Sequence, residues 1–599
     1  MQYSNVLIKF FLFFALAGHV FAQPLPPHPR IIFTPDAEQL LRKKLPEDMY
    51  LEAAHQSVLR AADRMLSLPP VERVQTGRRI LSVSREALER ITHYAYAYRL
   101  TEDKKYLQNA KSEMLAAAAF TDWNPSHFLD VAELTTALAI GYDWLYSDIE
   151  EEARMIIRKA IIEKGLKPSF EYDDWTRAHH NWNQVCNGGM VLGALAIFEE
   201  DAALAAKIIA RADTSLALPM EDYGPDGAYP EGPGYWSYGT TYHAIVIDAT
   251  RTALGNDKAF AYSPAFIGSA WYKLHMLGPA GYFNYSDNSF TNSLNPVMCW
   301  FAAEANNPEV LWSQQPFFDA MTEENAVFSS RFTPFMPIWA SRLNSLVFLK
   351  PDAMVWSGKG ISPVAVMRGS WDVDGIFVGI KGGSPSANHG HMDAGTFVMD
   401  AMGVRWAFDL GGHPYHPLEA RGLDIWSKGQ ESERWQIMRY NNFFHNTLVV
   451  NMSLQKADSY SPLTSVTQTG DILAATVDIS PAYAGYLSRA VRTLSLVNNH
   501  YVRITDNIKN GSLPATVQWN MITADSITLS DPHLAVIHQE GKALEAIIET
   551  PYNATWFISS THPDNNFEYP NPGTARLGFK ASMAKEEEAV FSVVLKPVK

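Results

Sequence analysis

The stretch Asn388-His389-Gly390-His391-Met392-Asp393-Ala394-Gly395 lies in the first part of the extended region that follows the helical part of this chain. It gathers two imidazoles, an amide and an acid within a few residues. If the stretch enters a strand, His389 and His391 point to the same face of a sheet, because side chains alternate along a strand. The pattern therefore predicts that both imidazoles face one site.

Upstream of this stretch, from about Pro35 to Ser345, apolar residues recur at steps of three and four, which is typical of amphipathic helices. Short acidic breaks interrupt the pattern, and each is followed at once by another helical run. Successive breaks are one helical hairpin apart, which indicates a divergent array of helix pairs. Such an array forms an open solenoid or a closed α/α toroid, and periodicity alone leaves both open. The breaks lie at Thr101–Asp103, Ser147–Asp148 and Glu199–Asp201.

After about Lys350 the chain consists of short runs rich in β-branched and aromatic residues, bounded by turn-forming residues. Their alternation predicts antiparallel sheets. Helices followed by strands indicate separate layers or domains instead of a mixed α/β sheet. We place the boundary at residues 345–360 and expect firm packing across it, because no low-complexity linker lies there. The strand-like runs are Gly375–Ile380, Thr396–Met399, Asn446–Val450, Thr493–Val497, Tyr501–Asp506 and Ala589–Leu595.

The composition is that of a globular protein, with 47% hydrophobic and 19% charged residues over 599 positions. The formal net charge of −15 argues against a nucleic-acid-binding protein, because such proteins carry basic surfaces that meet phosphates. It does not exclude an anionic glycan, since a basic cleft can lie on an acidic protein. Cys186 and Cys299 are the only cysteines, and we expect two buried thiols instead of a disulfide framework.

The N-terminus has the pattern of a secretory signal peptide over residues 1–22. Lys9 precedes an apolar run, Phe10–Ala17, that is too short to span a bilayer. The run Val20–Ala22 supplies small residues and places the cleavage after Ala22. We therefore expect a periplasmic or secreted protein without a membrane span. The sequence leaves open whether it forms a homodimer.

Two segments of the helical region carry candidate functional side chains. The first, His179–Asn183, places imidazoles and amides directly before a strongly apolar helix. The second, Tyr229–Tyr238, is a Pro- and Gly-broken loop crowded with phenols, which favours a shaped surface over a packed helix. Helix capping and ordinary core packing are the structural alternatives for these residues.

A third candidate set combines His391 with two residues further along the chain, Asp409 and His445. Two imidazoles and a carboxylate from neighbouring strand ends suit a divalent metal, with zinc the first choice. The alternative is a hydrogen-bonded network of His and Asp side chains beneath a loop. Because these residues come from distant parts of the chain, a metal here would order the loops of the sheet region.

Together the three segments resemble the heparinase II/III-like superfamily of polysaccharide lyases, which also includes oligoalginate lyases and dermatan sulfate epimerase. The most specific part is the stretch that opens this section, running into Thr396-Phe397, with the later Phe408–Gly411. The resemblance implies an N-terminal (α/α) toroid over residues 23–350 and an antiparallel β-sandwich domain over residues 351–599. It also implies an anionic, uronate-containing polysaccharide as the substrate. A glycosaminoglycan such as heparin or heparan sulfate comes first, and alginate and other uronate polymers remain open.

The same resemblance assigns roles to individual residues. It implies catalytic roles for His180, Asn181, Tyr235 and His389, and leaves open which of His180 and Asn181 contacts the substrate carboxylate. It also implies a structural metal, zinc by preference, held by His391, Asp409 and His445.

We further expect side chains around these residues to contact the substrate. The loop Asn284–Asn288 is predicted to line the same cleft, and Arg439 has the forked group that meets a carboxylate or sulfate through two hydrogen bonds. The predicted substrate-binding residues are Asn183, Trp236, Tyr238 and Arg439.

The implied reaction is β-elimination at a uronate. Removal of the C5 proton creates an enolate-like dianion, so the carboxylate must be neutralised by donors such as Asn181 and His180 or His389. Tyr235 is the expected acid toward O4, and also the base when both groups lie on one face of the sugar. For the opposite epimer, His180 or His389 is the expected base.

Three other functions remain open at the level of sequence. A uronate C5-epimerase shares the proton abstraction and differs in the fate of the carbanion. A glycoside hydrolase needs two carboxylates that flank the bond, for which Asp222, Asp226 and Glu231 are candidates. A non-catalytic glycan-binding protein predicts a stripe of exposed Trp without convergence of the polar residues.

Overall fold

The computed structural model describes residues 25–255 and 263–598, so the predicted signal peptide lies outside the described residues. Within them, fourteen α-helices come before the first strand. They are Pro35–Lys44, Met49–Met65, Leu81–Thr101, Lys104–Ala119, Phe128–Trp144, Glu151–Ala160, Asn181–Ala196, Ala202–Ser215, Ala217–Glu221, Pro233–Leu254, Pro264–His275, Val297–Ala305, Gln315–Met321 and Phe335–Ala340.

The acidic breaks of the sequence are the starts of helices. The Asp103 side chain accepts a hydrogen bond from the Lys105 amide at 3.0 Å, and it caps the helix that begins at the next residue. Asp201 does the same for the helix Ala202–Ser215, through the Leu204 amide at 3.0 Å. These two breaks therefore supply the first hydrogen-bond acceptor of the next helix, whereas the helix after Ser147–Asp148 begins at Glu151 without a side-chain cap.

The helices close into a ring, which settles the choice between an open solenoid and a toroid. Consecutive inner helices pack on each other, and the last packs on the first. The remaining longer helices pack on the outside of this ring, as partners in helical hairpins. In order around the ring, the inner helices are Met49–Met65, Leu81–Thr101, Phe128–Trp144, Asn181–Ala196, Pro233–Leu254, Val297–Ala305 and Phe335–Ala340.

The rest of the described chain forms three antiparallel sheets, as the alternating runs predict. The first has the order β1-β2-β3-β4-β5, the second β12-β13-β14-β17-β10-β9-β8-β7, and the third β15-β16-β11-β6. One short helix, Tyr415–Glu419, lies between β5 and β6. The strands are β1 Val355–Gly358, β2 Val364–Arg368, β3 Phe377–Lys381, β4 Phe397–Ala401, β5 Val404–Ala407, β6 Leu448–Val450, β7 Leu463–Thr469, β8 Ile472–Asp478, β9 Leu487–Val497, β10 Tyr501–Asn510, β11 Ala515–Ala524, β12 Ile527–Asp531, β13 Leu534–Gln539, β14 Lys542–Thr550, β15 Phe557–Ser560, β16 Thr574–Met583 and β17 Glu588–Val598.

The first sheet lies between the toroid and the other sheets. On β2, Val364 and Val366 belong to the core of the helical region, whereas Ala365 and Met367 belong to the core of the sheets. This is the two-residue period of a strand that is buried on both faces. The helical region and the sheets therefore share a packed interface.

Two further expectations concern membranes and cysteines. Among residues 25–255 and 263–598, every helix is too short or too polar to cross a bilayer. Cys186 and Cys299 are buried free thiols, as predicted.

Candidate active site

A buried carboxylate, Asp287, joins the toroid to the loops of the sheet domain. Its Oδ2 lies 3.0 Å from His389 Nδ1 and accepts hydrogen bonds from the Tyr415 hydroxyl and Arg434 Nη2, both also at 3.0 Å. Its Oδ1 lies 2.9 Å from His391 Nε2. Burial alone would raise the pKa of Asp287, but Arg434 and the two imidazoles hold it well below its ordinary value. An ionised Asp287 therefore fixes one ring nitrogen of each histidine as a donor.

The segment that carries the two histidines is a loop, which corrects the strand expected for it. Residues 388–395 lie between β3 and β4, and His389 has a left-handed backbone with φ of 56°. Gly390 is required in this turn, because a Cβ there would meet the Pro385 carbonyl oxygen at 2.5 Å. The two imidazoles face one site because Asp287 reaches both of them, and not because they share a face of a sheet.

Tyr235 lies over this cluster at the start of the helix Pro233–Leu254. Its ring stacks on the His389 ring with centroids 4.0 Å apart, and its hydroxyl lies 2.6 Å from the Tyr415 hydroxyl. Asn288 Oδ1 accepts from the Gly234 amide at 2.6 Å and from the Tyr235 amide at 3.3 Å, so it caps the helix. Burial, and then the charge of Asp287, raise the pKa of Tyr235. The phenol is therefore protonated and able to donate a proton.

Tyr415 is held in place from the toroid side. It begins the short helix Tyr415–Glu419, and Glu419 accepts two hydrogen bonds from the Arg79 guanidinium, at 2.7 and 3.0 Å. The paired geometry makes this a strong contact between the two parts of the chain. The Tyr415 hydroxyl is placed between Tyr235 and Asp287 as a result.

A second buried carboxylate, Glu231, organises the amides of the site. Its Oε2 accepts from Asn181 Nδ2 at 2.7 Å and from Asn388 Nδ2 at 3.0 Å, and its Oε1 accepts from the Tyr229 hydroxyl at 2.9 Å. His389 Nε2 lies 3.6 Å from Oε2. Each amide nitrogen carries two hydrogens, so one is fixed on Glu231 and the other remains for a ligand.

Of the pair His180 and Asn181, it is Asn181 that joins this network. His180 precedes the helix Asn181–Ala196, and its Nδ1 accepts the Trp182 amide at 3.4 Å as a helix cap. Burial lowers the pKa of His180, against the opposing charge of Glu231. A neutral imidazole whose Nδ1 accepts carries its hydrogen on Nε2, so His180 is placed as a donor at the edge of the site.

Three of the four predicted substrate-binding residues serve the packing instead, which corrects their assignment. Asn183 is buried, and its amide donates to three backbone carbonyls at 2.8 to 3.3 Å. Trp236 is fully buried and donates to Ser269 Oγ at 2.8 Å. The Arg439 guanidinium donates to the carbonyls of residues 410 and 412. Only Tyr238 lines a cavity beside Tyr235.

His391, Asp409 and His445 converge as predicted, all three buried, with ligand atoms within 4.8 Å of one another. Asp409 follows β5 and His445 precedes β6. His391 Nδ1 and His445 Nε2 have no hydrogen-bond partner in the described chain, and Asp409 Oδ2 and His445 Nδ1 have only each other, at 3.4 Å. Such buried polar atoms are costly when unpaired, and a metal ion would satisfy them together. The triad could thus bind a metal, and the Asp287 contact orients the His391 ligand from behind.

Four important residues of the site were not assigned roles by the sequence patterns. Asp287 lies in the loop expected to line the cleft, but nothing in the sequence marks its carboxylate as the centre. Glu231 was considered only as an acid for a hydrolase. Tyr415 and Arg434 come from the long connection between β5 and β6, where no spacing relates them to the other residues.

Asp222 provides a test of the electrostatics around Glu231. Burial, and then the charges of Glu231 and Glu221, raise the pKa of Asp222 to about 7. The folded state thus keeps a proton that the unfolded state loses near pH 4. The cost of ionising Asp222 grows as pH rises from about 4 and is complete above about 7. We expect Asp222→Asn to raise Tm relative to wild type, and by more at pH 8 than at pH 5.

Thermal unfolding at both pH values measures this effect. Asp564→Asn, at an exposed carboxylate, is the control and should show the same small Tm difference at each pH. A Tm difference for Asp222→Asn that is constant or shrinks with pH would contradict the account.

The comparisons with known proteins agree with the fold. Residues 365–594 match the family described as heparinase II/III-like, C-terminal. A heparinase III structure has a TM-score of 0.61 at 12% identity, covering 92% of this chain and 85% of that chain. A second heparinase III structure has a TM-score of 0.60 at 14% identity, covering 98% of this chain and 88% of that chain. A heparan sulfate lyase, HepC from Pedobacter heparinus, has a TM-score of 0.54 at 13% identity, covering 86% of this chain and 76% of that chain. No curated protein matches the chain. The chain thus has the heparinase III-like helical and β fold.

Proposed function

We propose, for a chain that carries a heparinase II/III-like C-terminal domain, that the cleft around Tyr235 cleaves uronate-containing polysaccharides by β-elimination. The products are a new reducing end and a 4,5-unsaturated uronate. Because the N-terminus has a signal-peptide pattern, the proposal places the enzyme in the periplasm or outside the cell. The observation that carries the proposal is the chain of hydrogen bonds from Tyr235 to Tyr415 to Asp287, beside the amides on Glu231.

The amides supply what the first half of the reaction needs. Loss of the C5 proton puts a second negative charge on the carboxylate side of the sugar. Asn181 and Asn388 each keep one free N–H, and both are fixed by Glu231 before substrate arrives. Asp287 holds His389 Nδ1 at 3.0 Å, and His389 Nε2 lies 3.6 Å from Glu231, beside the two amides. Preorganised donors of this kind stabilise charge that grows in the transition state.

The phenols supply the proton transfers. Asp287 only accepts, so Tyr415 donates to it and Tyr235 donates to Tyr415. The Tyr235 oxygen can take the C5 proton while its own proton moves along this chain toward Asp287. The C5–H electrons then form the C4–C5 double bond, the C4–O4 bond breaks, and O4 leaves with the proton that Tyr235 took from C5. The proton shifted to Asp287 returns through Tyr415 to Tyr235, which restores the site. No water is consumed.

The two buried carboxylates argue against a glycoside hydrolase. Hydrolysis would need one as an acid and the other as a base or nucleophile, both open to the sugar. The Asp287 and Glu231 side chains are each about 1% exposed, and both are occupied by donors from the protein. Neither is open to the sugar, so neither can act as the acid, base or nucleophile that hydrolysis requires.

The test is a panel of uronate polysaccharides, with heparan sulfate first and hyaluronan, chondroitin sulfate and alginate beside it. A rise in the ultraviolet absorbance of an unsaturated uronate with one polymer would support the proposal and name the substrate class. New reducing ends without that absorbance would reject it in favour of hydrolysis. Exchange of deuterium into C5 with neither signal would instead indicate an epimerase.

The triad His391, Asp409 and His445 is proposed to hold zinc in a structural role. Two imidazoles and a carboxylate suit this metal. A bound zinc ion would supply cross-linking of the loops after β5 and before β6, and elimination gives it no water to activate. The same ion would hold His391 against Asp287, and so support the position of His389 on the other side of that carboxylate.

Removal of this metal should destabilise the protein. We expect His445→Ala to lose the metal and to lower Tm, because binding at 100 times Kd is worth about 2.7 kcal/mol and thus roughly 5–10 °C. A chelator should produce a similar shift in wild type and none in the variant. Elemental analysis and thermal unfolding are the measurements, with the exposed His538→Ala as the control. Wild type that is purified without metal and ignores both chelator and added zinc would reject the assignment.

A further inference from the structure

A cavity of about 390 Å³ opens beside Tyr235, and the proposed chemistry uses only the part of its wall formed by Tyr235 and Asp287. Its wall includes Tyr235 and Asp287, so it is continuous with the candidate active site. Its other lining includes Tyr238, Arg85 and Arg331. The size falls within the usual range of ligand pockets.

Glu133, Arg85 and Arg331 set the charge in the part of this cavity beside Tyr238. Glu133 is fully buried, with Arg85 Nε 3.1 Å from its Oε1 and Arg331 Nε 3.0 Å from its Oε2. The hydroxyls of Tyr238 and Tyr242 also donate to it, at 2.9 and 2.7 Å. Burial would raise the pKa of Glu133, but the two guanidiniums and the two phenols hold it below its ordinary value. Two guanidiniums against Glu133 leave one excess positive charge beside Tyr238, while the charge of Asp287, which also lines the cavity, is met by Arg434 at 3.0 Å.

The ends of both guanidiniums remain available. Arg85 and Arg331 approach Glu133 with Nε, and Arg85 also interacts with the Tyr238 hydroxyl. Within the described chain, their terminal nitrogens have no other hydrogen-bond partner. Their side chains are 38% and 19% exposed, and they lie on the Tyr238 ring at 4.8 and 5.2 Å from its centroid. A planar guanidinium with free N–H groups, held in place by stacking on the Tyr238 ring, suits a carboxylate or a sulfate.

We infer that this cavity is a subsite for an acidic substituent, a sulfate or a carboxylate, on the sugar unit beside the one that is cleaved. Tyr235 and Tyr238 are three residues apart on one helix, so their Cβ atoms lie about 5–6 Å apart on the same face. A chain whose uronate contacts Tyr235 would therefore bring its neighbouring unit over Tyr238 and between the two arginines. The inference rests on the proposed function, because it names the substrate group that this same cleft selects.

The test uses heparin oligosaccharides of one length in three forms: sulfated, desulfated, and desulfated with reduced carboxyls. Binding is measured by calorimetry in a Tyr235→Phe background, and turnover in the wild-type background. Arg85→Met and Arg331→Met should each weaken binding of the preferred acidic form about ten-fold or more, and raise KM more than they lower kcat. The neutral form lacks the carboxylate that elimination needs, so it is compared by binding alone, and its binding should be unaffected. Arg503→Met, which breaks a similarly exposed pair with Glu549, is the control.

The three forms separate the sources of the acidic group. A loss confined to the sulfated form identifies sulfate, and an equal loss for the sulfated and desulfated forms, but not the reduced one, identifies a carboxylate. An equal loss for all three, or no loss, overturns the inference.

Arg331→Lys and the Tm of each variant separate a lost contact from misfolding, since Lys keeps the charge beside Glu133. Because binding is read without turnover, an inactive enzyme that still binds acidic forms through these arginines would reject the proposed function and keep the subsite. Failure to bind any acidic form would overturn the subsite.

Discussion

Tyr235→Phe is expected to lower kcat by about 10²- to 10⁴-fold, with KM and Tm nearly unchanged. The change removes one oxygen, and that oxygen is the only part of Tyr235 that the proposed proton transfers use. The stacking of the ring on His389, at 4.0 Å, remains available to Phe. Formation of unsaturated uronate under saturating substrate measures kcat.

Two further variants make this result specific. Tyr415→Phe breaks the 2.6 Å link from Tyr235 toward Asp287 and should also lower kcat, by less than Tyr235→Phe. Tyr50→Phe removes an exposed hydroxyl that contacts Asp319, outside the cleft, and should leave kcat unchanged. Full activity in Tyr235→Phe would contradict the assignment of Tyr235 as the proton carrier.

Asn181→Ala is expected to lower kcat by about 10²- to 10³-fold, as for the loss of one donor to a developing oxyanion. Its amide is the one that Glu231 fixes at 2.7 Å, with its second hydrogen available to the substrate carboxylate. Glu231→Gln should lower kcat as well, because a Gln side chain offers one acceptor where Glu231 offers two and no longer forces both amides to donate.

Asn183→Ala is the matched control for Asn181→Ala, two residues along the same helix. Its amide serves backbone carbonyls, so the variant should lower Tm while the folded enzyme keeps its kcat. An effect of Asn181→Ala on KM alone would show that the amide binds the ground state and the transition state equally, and would contradict its proposed role.

The local features of the fold could be predicted because local chemistry determines them. Asp103 and Asp201 follow one helix and cap the next, and the alternation on β2 matches a strand with two buried faces. Closure of the toroid could not be predicted. It depends on the packing of Phe335–Ala340 against Met49–Met65, two helices far apart in the sequence whose patterns do not specify a partner.

The candidate site likewise contains residues that could be predicted from the sequence and residues that could not. The convergence of Asn181, Tyr235 and His389 could be predicted, because family-like motifs mark these residues. The same is true of the three metal-ligand candidates. Asp287 and Tyr415 could not be found, since they enter the site from separate loops.

Polar and aromatic residues next to a motif were the main source of error. Asn183, Trp236 and Arg439 have the side chains of a binding site, but their hydrogen bonds go to the protein itself. No pattern in the sequence distinguishes an amide that faces a cleft from one that faces a backbone carbonyl.

Elimination and hydrolysis differ in whether water enters the products, so the masses of the products formed in water labelled with heavy oxygen distinguish them. An oligosaccharide that the enzyme cleaves is digested in this water, and both fragments are weighed by mass spectrometry. The account predicts that the two fragments together have the mass of the substrate, with no label in either. Fragments that together exceed the substrate by one water molecule, with heavy oxygen in one of them, would contradict it.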